Sequence, residues 1–162
     1  MVIHPIEPVF DAASRILILG SFPSVKSREA GFFYGHPQNR FWRVLAAVYE
    51  APTPQSIEEK KAFLLRRGIA LWDVIQSCEI EGSSDAAIRS VTANDLRVIL
   101  RVADVQAIYV NGKTALKYYQ RYTEPLVGRA AICLPSTSPA NAACSLEKLV
   151  ERWRTITEPL RE

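Results

Sequence analysis

Cysteine and histidine are scarce in this chain of 162 residues, which has only Cys78, Cys133 and Cys144, and only His4 and His36. No two cysteines form a Cys-x-x-Cys pair, and an odd, scattered count excludes a disulfide framework. Three thiols are too few for an ordinary iron–sulfur cluster. With so little histidine no metal site is expected, and the His-x-Glu and Pro-Cys-x-x-Cys signature of zinc nucleobase deaminases is absent. Cys133, in the apolar run Ala131-Ile132-Cys133-Leu134, reads as a buried, inert thiol. No apolar run approaches the roughly 18 residues of a membrane span. Residues 1–7 lack the basic start and apolar run of a secretory signal, so a cytoplasmic protein is expected. Repeats, low-complexity tracts and linkers are missing too, which predicts one domain over residues 1–162.

What is present is ordinary in amount and uneven in placement. Apolar residues make up 48% and charged residues 23%, values that suit a globular core and exclude disorder or coiled coil. The net charge of +3 conceals two basic segments, residues 15–43 and 97–121, separated by an acidic stretch with Glu79, Glu81, Asp85 and Asp95. The basic segments suit a phosphate-facing surface if the fold brings them together; otherwise they are solvated helix faces.

Four apolar, partly β-branched runs, at 15–20, 69–74, 105–110 and 131–134, read as strands. Their near-continuous apolarity predicts parallel strands covered on both faces. Helical patterns fall between them. Residues 39–50 place Phe41, Trp42, Leu45 and Val48 on one face, with Pro37 suited to the opening turn. Residues 55–67, 92–103, 112–121 and 145–157 complete the set, with Thr92 and Asp95 spaced as a capping box. The longest polar connection, 77–90, reads as a functional loop. The alternation predicts an α/β fold: a single three-layer α/β/α domain with a central four-stranded parallel sheet. Function in such sheets gathers on the loops at the carboxyl ends of the strands.

Three of those loops are unusual. The first runs through Gly20-Ser21-Phe22-Pro23-Ser24 to the aromatic stretch Gly31-Phe32-Phe33-Tyr34-Gly35-His36-Pro37-Gln38-Asn39-Arg40-Phe41-Trp42. Three successive aromatics between glycines are hard to bury together, so one ring should face a cleft where a planar ligand can stack; the alternative is a plug over the sheet edge. The second loop, Asn111-Gly112-Lys113-Thr114, resembles the end of a P-loop, but Ala107 stands where the first glycine of that motif belongs, so a nucleotide triphosphatase is not expected. Asn111 carries donors and an acceptor on one planar amide, which suits either a purine edge or a helix N-cap. The third loop, Leu134-Pro135-Ser136-Thr137-Ser138-Pro139-Ala140-Asn141, is stiff and rich in short hydrogen-bonding groups that suit phosphate oxygens. It has no Gly-x-Ser-x-Gly elbow for a serine hydrolase.

In order and spacing these loops resemble the uracil-DNA glycosylase superfamily over roughly residues 14–157. The segment Tyr34-Gly35-His36-Pro37-Gln38-Asn39-Arg40-Phe41-Trp42 and the late helix Ser145-Leu146-Glu147-Lys148-Leu149-Val150-Glu151 are similar to the mismatch-specific uracil/thymine branch. Phe22, however, stands where that branch carries its catalytic asparagine. The Gly-Ser-x-Pro loop, His-Pro-x-Asn-Arg-Phe-Trp and Pro-Ser-Thr-Ser-Pro-Ala-Asn resemble more closely the deoxyinosine (hypoxanthine-DNA) glycosylase branch. The resemblance implies a monofunctional glycosylase that acts on DNA containing deaminated bases, with hypoxanthine the preferred base and Asn39 catalytic. It implies base binding by Gly20, Ser21, Phe22, Tyr34 and Asn111, with the base stacked on Tyr34. DNA contacts are expected from Lys113, Ser136, Thr137, Ser138, Pro139 and Asn141, and Pro139, Ala140 or Asn141 would fill the gap left by a flipped base. No metal or other cofactor is needed, and a monomer is expected.

A carboxamide is neutral, so Asn39 would hold a water beneath C1′ rather than act as a strong base. An asparagine there also suits the cap of the following helix. Asp73 is a further candidate for water activation or loop anchoring, Asp85 reads as a solvated loop residue, and His36 suits a phosphate contact or loop packing. Excision of uracil or mismatched thymine, and a non-catalytic nucleic-acid-binding module, are the competing readings.

Overall fold

The computed structural model describes residues 1–79 and 89–160. In chain order its elements are β1 (Val2–Ile3), β2 (Ile16–Gly20), α1 (Val25–Ala30), α2 (Phe41–Val48), α3 (Ile57–Arg66), β3 (Ile69–Asp73) and β4 (Ile75–Glu79). They continue with β5 (Arg89–Ala93), α4 (Arg97–Leu100), β6 (Ala107–Asn111), α5 (Lys113–Tyr118), α6 (Glu124–Val127), β7 (Ile132–Leu134) and α7 (Leu146–Trp153). A π-helical turn, Tyr119–Thr123, joins α5 to α6, and a 3-10 helix, Arg154–Leu160, extends α7.

All four apolar runs are strands. They form one parallel sheet in the order β3-β2-β6-β7. Every residue of β2 and β3 is buried, as strands covered on both faces require. Helices flank the sheet. The chain runs from β2 outward to β3, later returns to β6 on the other side of β2 and goes on to β7, so the direction of winding reverses at the carboxyl ends of β2 and β6. Parallel α/β sheets open a crevice at such a point.

Helix α2 buries Phe41, Trp42, Val44, Leu45, Ala46 and Val48, and packs against α7. Burying each large apolar side chain contributes roughly 1.5–3 kcal/mol. Phe41 meets the rings of Trp42 and Trp153 edge-on, with centroids 4.9 and 5.8 Å away. The helix begins at Phe41, so Pro37 lies in the preceding turn rather than in the opening turn of the helix. Helix α3 opens with a capping box that the linear reading passed over: Ser56 Oγ accepts from Glu59 N, and Glu59 Oε1 accepts from Ser56 N.

The helix expected at 92–103 is mostly absent. Thr92 belongs to β5, and only Arg97–Leu100 is α-helical. Asp95 accepts from the backbone and guanidinium of Arg97 instead of closing a box with Thr92. The strand arises because β4 turns out of the parallel sheet just after β3 and pairs antiparallel with both β1 and β5. The connection 77–90 therefore begins and ends in strands, and Asp85 lies outside the described residues. Of the basic segments, Arg15 sits at the amino end of β2 and donates to the Ala12 and Ser14 carbonyls, away from the carboxyl ends. Cys133 is half-buried rather than buried, with burial pushing its thiol upward.

Candidate active site

A cleft of about 350 Å³ opens over the carboxyl ends of the parallel strands, within the range typical of small-molecule sites. All three unusual loops line it, bringing together Gly20, Ser21, Phe22, Tyr34, Asn39, Asn111, Lys113, Ser136, Thr137, Ser138 and Pro139. Of the aromatic trio, Phe32 and Phe33 are buried, while Tyr34 is half-buried at the cleft. One face of the Tyr34 ring stacks on Phe41 at 4.0 Å, and its backbone takes the left-handed φ of 54°. For a residue with a side chain that conformation is uncommon, and it turns the ring inward over the strand ends.

At the β6 and β7 end, three side chains form one chain of hydrogen bonds. Asn111 Nδ2 donates to Thr137 Oγ1 at 3.0 Å, and Thr137 Oγ1 donates to Asn39 Oδ1 at 2.9 Å. Thr137 N donates to Asn111 Oδ1 at 3.1 Å, and Phe41 N donates to Asn39 Oδ1 at 2.9 Å. Within a side-chain amide only the oxygen can accept a backbone N–H, so both amide orientations are determined by these contacts. Asn39 therefore serves the start of α2 and faces the cleft at once, with its Nδ2 making no hydrogen bond among the described residues.

Two expectations need correction here. Asn111 is not the N-cap of α5, a position Gly112 occupies; it lines the cleft with its carbonyl and one amino proton bonded to Thr137. Gly112 needs to be glycine there: its φ is 94°, and a Cβ would come within 3.0 Å of Ser136. Thr137 is 0% exposed and cannot reach a phosphate. It is a buried relay between two asparagines. Asn141 also turns inward, donating to Ser136 O at 3.0 Å. The tip residues Pro139 and Ala140 are exposed. Ser136 and Ser138 each accept a loop amide, leaving their own O–H to donate outward.

Arg40 carries a function the sequence reading did not assign. Its guanidinium donates to the carbonyls of Ser138, Asn141 and Cys144, and its backbone N donates to Thr137 O at 3.1 Å. The residue beside Asn39 thus grips the third loop. Lys113 is exposed at the rim, as is the turn in which His36 Nδ1 accepts from Gln38 N.

At the β3 end the principal residue is one the sequence did not single out, His4. Its Nε2 lies 2.8 Å from Asp73 Oδ2, and the two side chains are only 2% and 5% exposed. Strand β1 delivers it: His4 N donates to Gln76 O, extending the pairing of β1 with β4. Ile6 N donates to His4 Nδ1, so Nδ1 carries the lone pair and Nε2 the proton given to Asp73. Phe22 and Phe33 flank the imidazole at 5.8 and 5.9 Å. Asn94 Nδ2 braces the strand end by donating to the Asp73 and Ile75 carbonyls. Asp73 Oδ1 makes no hydrogen bond among the described residues and lies against Gly20, where a Cβ would stand 2.4 Å from it and 2.8 Å from Tyr34 Oη. Glycine is needed here for this close approach. Tyr34 Oη is buried without a partner at proper hydrogen-bond geometry. Burial, then the Asp73 carboxylate, push its phenol well above the ordinary range, and the nearby Asn111 amide pulls it back only in part.

Among the described residues no three His, Cys, Asp or Glu side chains converge as a metal site would require, and no helix is long and apolar enough to cross a membrane. A family model, the uracil DNA glycosylase superfamily, matches residues 7–157. Hypoxanthine DNA glycosylase of Methanosarcina acetivorans is 35% identical over 153 residues, covering 91% of this chain and 93% of that one. Its namesake from Methanosarcina barkeri is 34% identical, covering 90% and 92%. The solution structure of a candidate uracil DNA glycosylase from Methanosarcina acetivorans superposes with a TM-score of 0.83 at 29% identity, covering 99% of this chain and 100% of that one.

Proposed function

Because the chain belongs to the uracil DNA glycosylase superfamily, we propose that it excises a deaminated base from DNA, hypoxanthine before uracil, by hydrolysing the N-glycosidic bond. The observation that carries the residue assignment is the Asn39 amide, pinned in the cleft by Thr137 and Phe41 with one edge left open.

The glycosidic bond is inaccessible inside a stacked duplex, so the target nucleotide is turned out into the cleft. Pro139 and Ala140, at the exposed tip of the third loop, fill the gap, since small apolar wedges unstack a base step. Lys113 and the outward hydroxyls of Ser136 and Ser138 hold phosphates.

Asn39 Oδ1 already receives two hydrogen bonds, so the open edge of the amide is its Nδ2. An N–H there orients a water by donating to one of its lone pairs, leaving the other for C1′. It takes no proton from that water. Bond breaking therefore leads: the C1′–N9 electron pair leaves with the base, the sugar becomes oxocarbenium-like, and water adds to C1′. The water's proton passes to the departing base or to solvent. Holding the water in place replaces a bimolecular encounter, which accounts for several kcal/mol of barrier in comparable sites.

The test is to incubate the purified protein with duplexes carrying a single deoxyinosine or a single deoxyuridine and to identify the released base by mass, with Asn39→Ala alongside. Free hypoxanthine from the first, little uracil from the second and loss of release in the variant are expected. Predominant uracil release reassigns the substrate; bound DNA with neither base released leaves a binding module. A borohydride-trapped adduct would replace hydrolysis with Schiff-base chemistry.

A further inference from the structure

We infer that Arg28, which stands against Phe22 just outside the cleft, binds a phosphodiester of the lesion-bearing strand on the side opposite the third loop. This rests on the glycosylase reading above and supplies a backbone contact at the β3 end of the cleft, where that reading names none.

A cation half removed from water and left without an acceptor is costly. Arg15, Arg40 and Arg67, half-buried like Arg28, each donate to backbone carbonyls. Arg28 does not. Its Nε is buried without a partner, and its guanidinium makes no hydrogen bond or ion pair among the described residues. The adjacent acid, Glu29, turns to Lys26 instead, at 3.9 Å. What holds Arg28 is a ring: its Cζ lies 5.6 Å from the centroid of Phe22. A guanidinium over an aromatic face still has its planar fork of N–H groups to offer.

Position selects the anion. Arg28 lies in α1, one turn beyond Ser24, whose carbonyl accepts its backbone N–H. Ser24, Ser27 and Phe22 line the cleft, and Arg28 is outside that lining. A turned-out nucleotide puts its base inside the cleft and leaves its phosphodiester outside. A cation just behind the cleft wall therefore meets the strand rather than the base, and its fork matches two phosphate oxygens. Phe22 meets His4, which bonds Asp73 at the end of β3, whereas Lys113 follows β6 and Ser136 and Ser138 follow β7. The strand is thus held on both flanks of the nucleotide that leaves the stack. The competing role for Arg28 is structural: it lies in the last turn of α1, where a positive charge favours the helix dipole.

The test measures equilibrium binding of deoxyinosine duplexes in which single phosphates around the lesion are replaced by uncharged methylphosphonates. An Asn39→Ala background keeps the substrate intact. Arg28→Met keeps an unbranched stem against Phe22 and removes the charge and the fork. It is expected to weaken binding of the unmodified duplex roughly tenfold and to lower the slope of log affinity against log salt by about 1. At one phosphate of the lesion strand, the methylphosphonate should cost roughly tenfold with Arg28 present and less than about twofold in Arg28→Met. Lys113→Ala should erase the cost at a different phosphate. Arg28→Lys serves where Arg28→Met folds poorly: it keeps the salt slope and part of the cost at the same phosphate. If the costs simply add at every position, Arg28 is structural and the inference fails. Coupling confined to the opposite strand, or to the Lys113 phosphate, overturns it as well. So does competition by inorganic phosphate at matched ionic strength that vanishes in Arg28→Met, which would mark a site for the free anion. Binding is read here, not base release, so a protein that shows the Arg28 coupling and releases no base sinks the glycosylase reading alone. One that binds no DNA sinks both.

Discussion

The two ends of the cleft are built on opposite plans. Over β6 and β7, Asn111, Thr137 and Asn39 bond one another, and Arg40 holds the loop that carries Thr137. Over β3 and β2, His4 and Asn94 brace Asp73 from behind, while Asp73 Oδ1 and the buried Tyr34 Oη make no hydrogen bond among the described residues. The first end leaves the Asn39 amino edge unbonded among the described residues, beside the Ser136 and Ser138 hydroxyls; the second leaves a buried acceptor and a buried donor unmatched. A closed network holds one group to within a fraction of an ångström, as positioning a nucleophile demands. Open groups discriminate, because a wrong ligand leaves them unsatisfied. The closed network and the unbonded groups are thus separated along the sheet, with Gly20 between them.

That separation can be broken at its middle. Gly20→Ala drives a methyl into Asp73 Oδ1 and Tyr34 Oη, neither of which is free to move, since one is tied to His4 and the other stacked on Phe41. Displacement of that order is expected to lower kcat/KM for deoxyinosine by about 100-fold, measured under single-turnover conditions.

The closed end is tested by Thr137→Val, which keeps the shape and removes the relay. Release should slow roughly tenfold to thirtyfold with KM nearly unchanged, and the preference for deoxyinosine over deoxyuridine should persist. Loss of that preference would show that the two ends are not independent.

Arg40→Lys keeps the charge but cannot reach three carbonyls with one planar fork. A thermal melt should show a loss of about 1.5–3 kcal/mol, with release slowed only severalfold. The smallest effect is expected from Lys113→Ala at the rim: KM rises roughly twofold to threefold, and the slope of log affinity against log salt falls by about 1. A change of base preference in that variant would contradict the partition.

Much of this was legible in the residues. Continuous apolar runs identified all four parallel strands, because burial on both faces leaves little room for polar side chains. The face formed by Phe41, Trp42, Leu45 and Val48 identified α2. The antiparallel sheet was not legible: β5 alternates too briefly, and Thr92 with Asp95 imitated a helix start. At the site, residue types were readable and directions were not. Asn111 is tied to Thr137 rather than capping α5, and Thr137 is buried because two amides satisfy its hydroxyl. His4 left no local signal, since its partner is 69 positions away; the sole hint was an acidic residue ending an otherwise apolar strand.

The grip of Arg40 also determines how the third loop behaves in time. A loop held through three carbonyls by the residue that precedes α2 is expected to open together with that buried helix rather than by itself. Proteolysis at the Pro139–Ala140 tip and hydrogen exchange around it then report the cooperative unit of α2, rather than the fraying usual for exposed turns. On the proposed reading, the loop that would meet DNA is then as long-lived as the core, and the duplex is the partner expected to change shape.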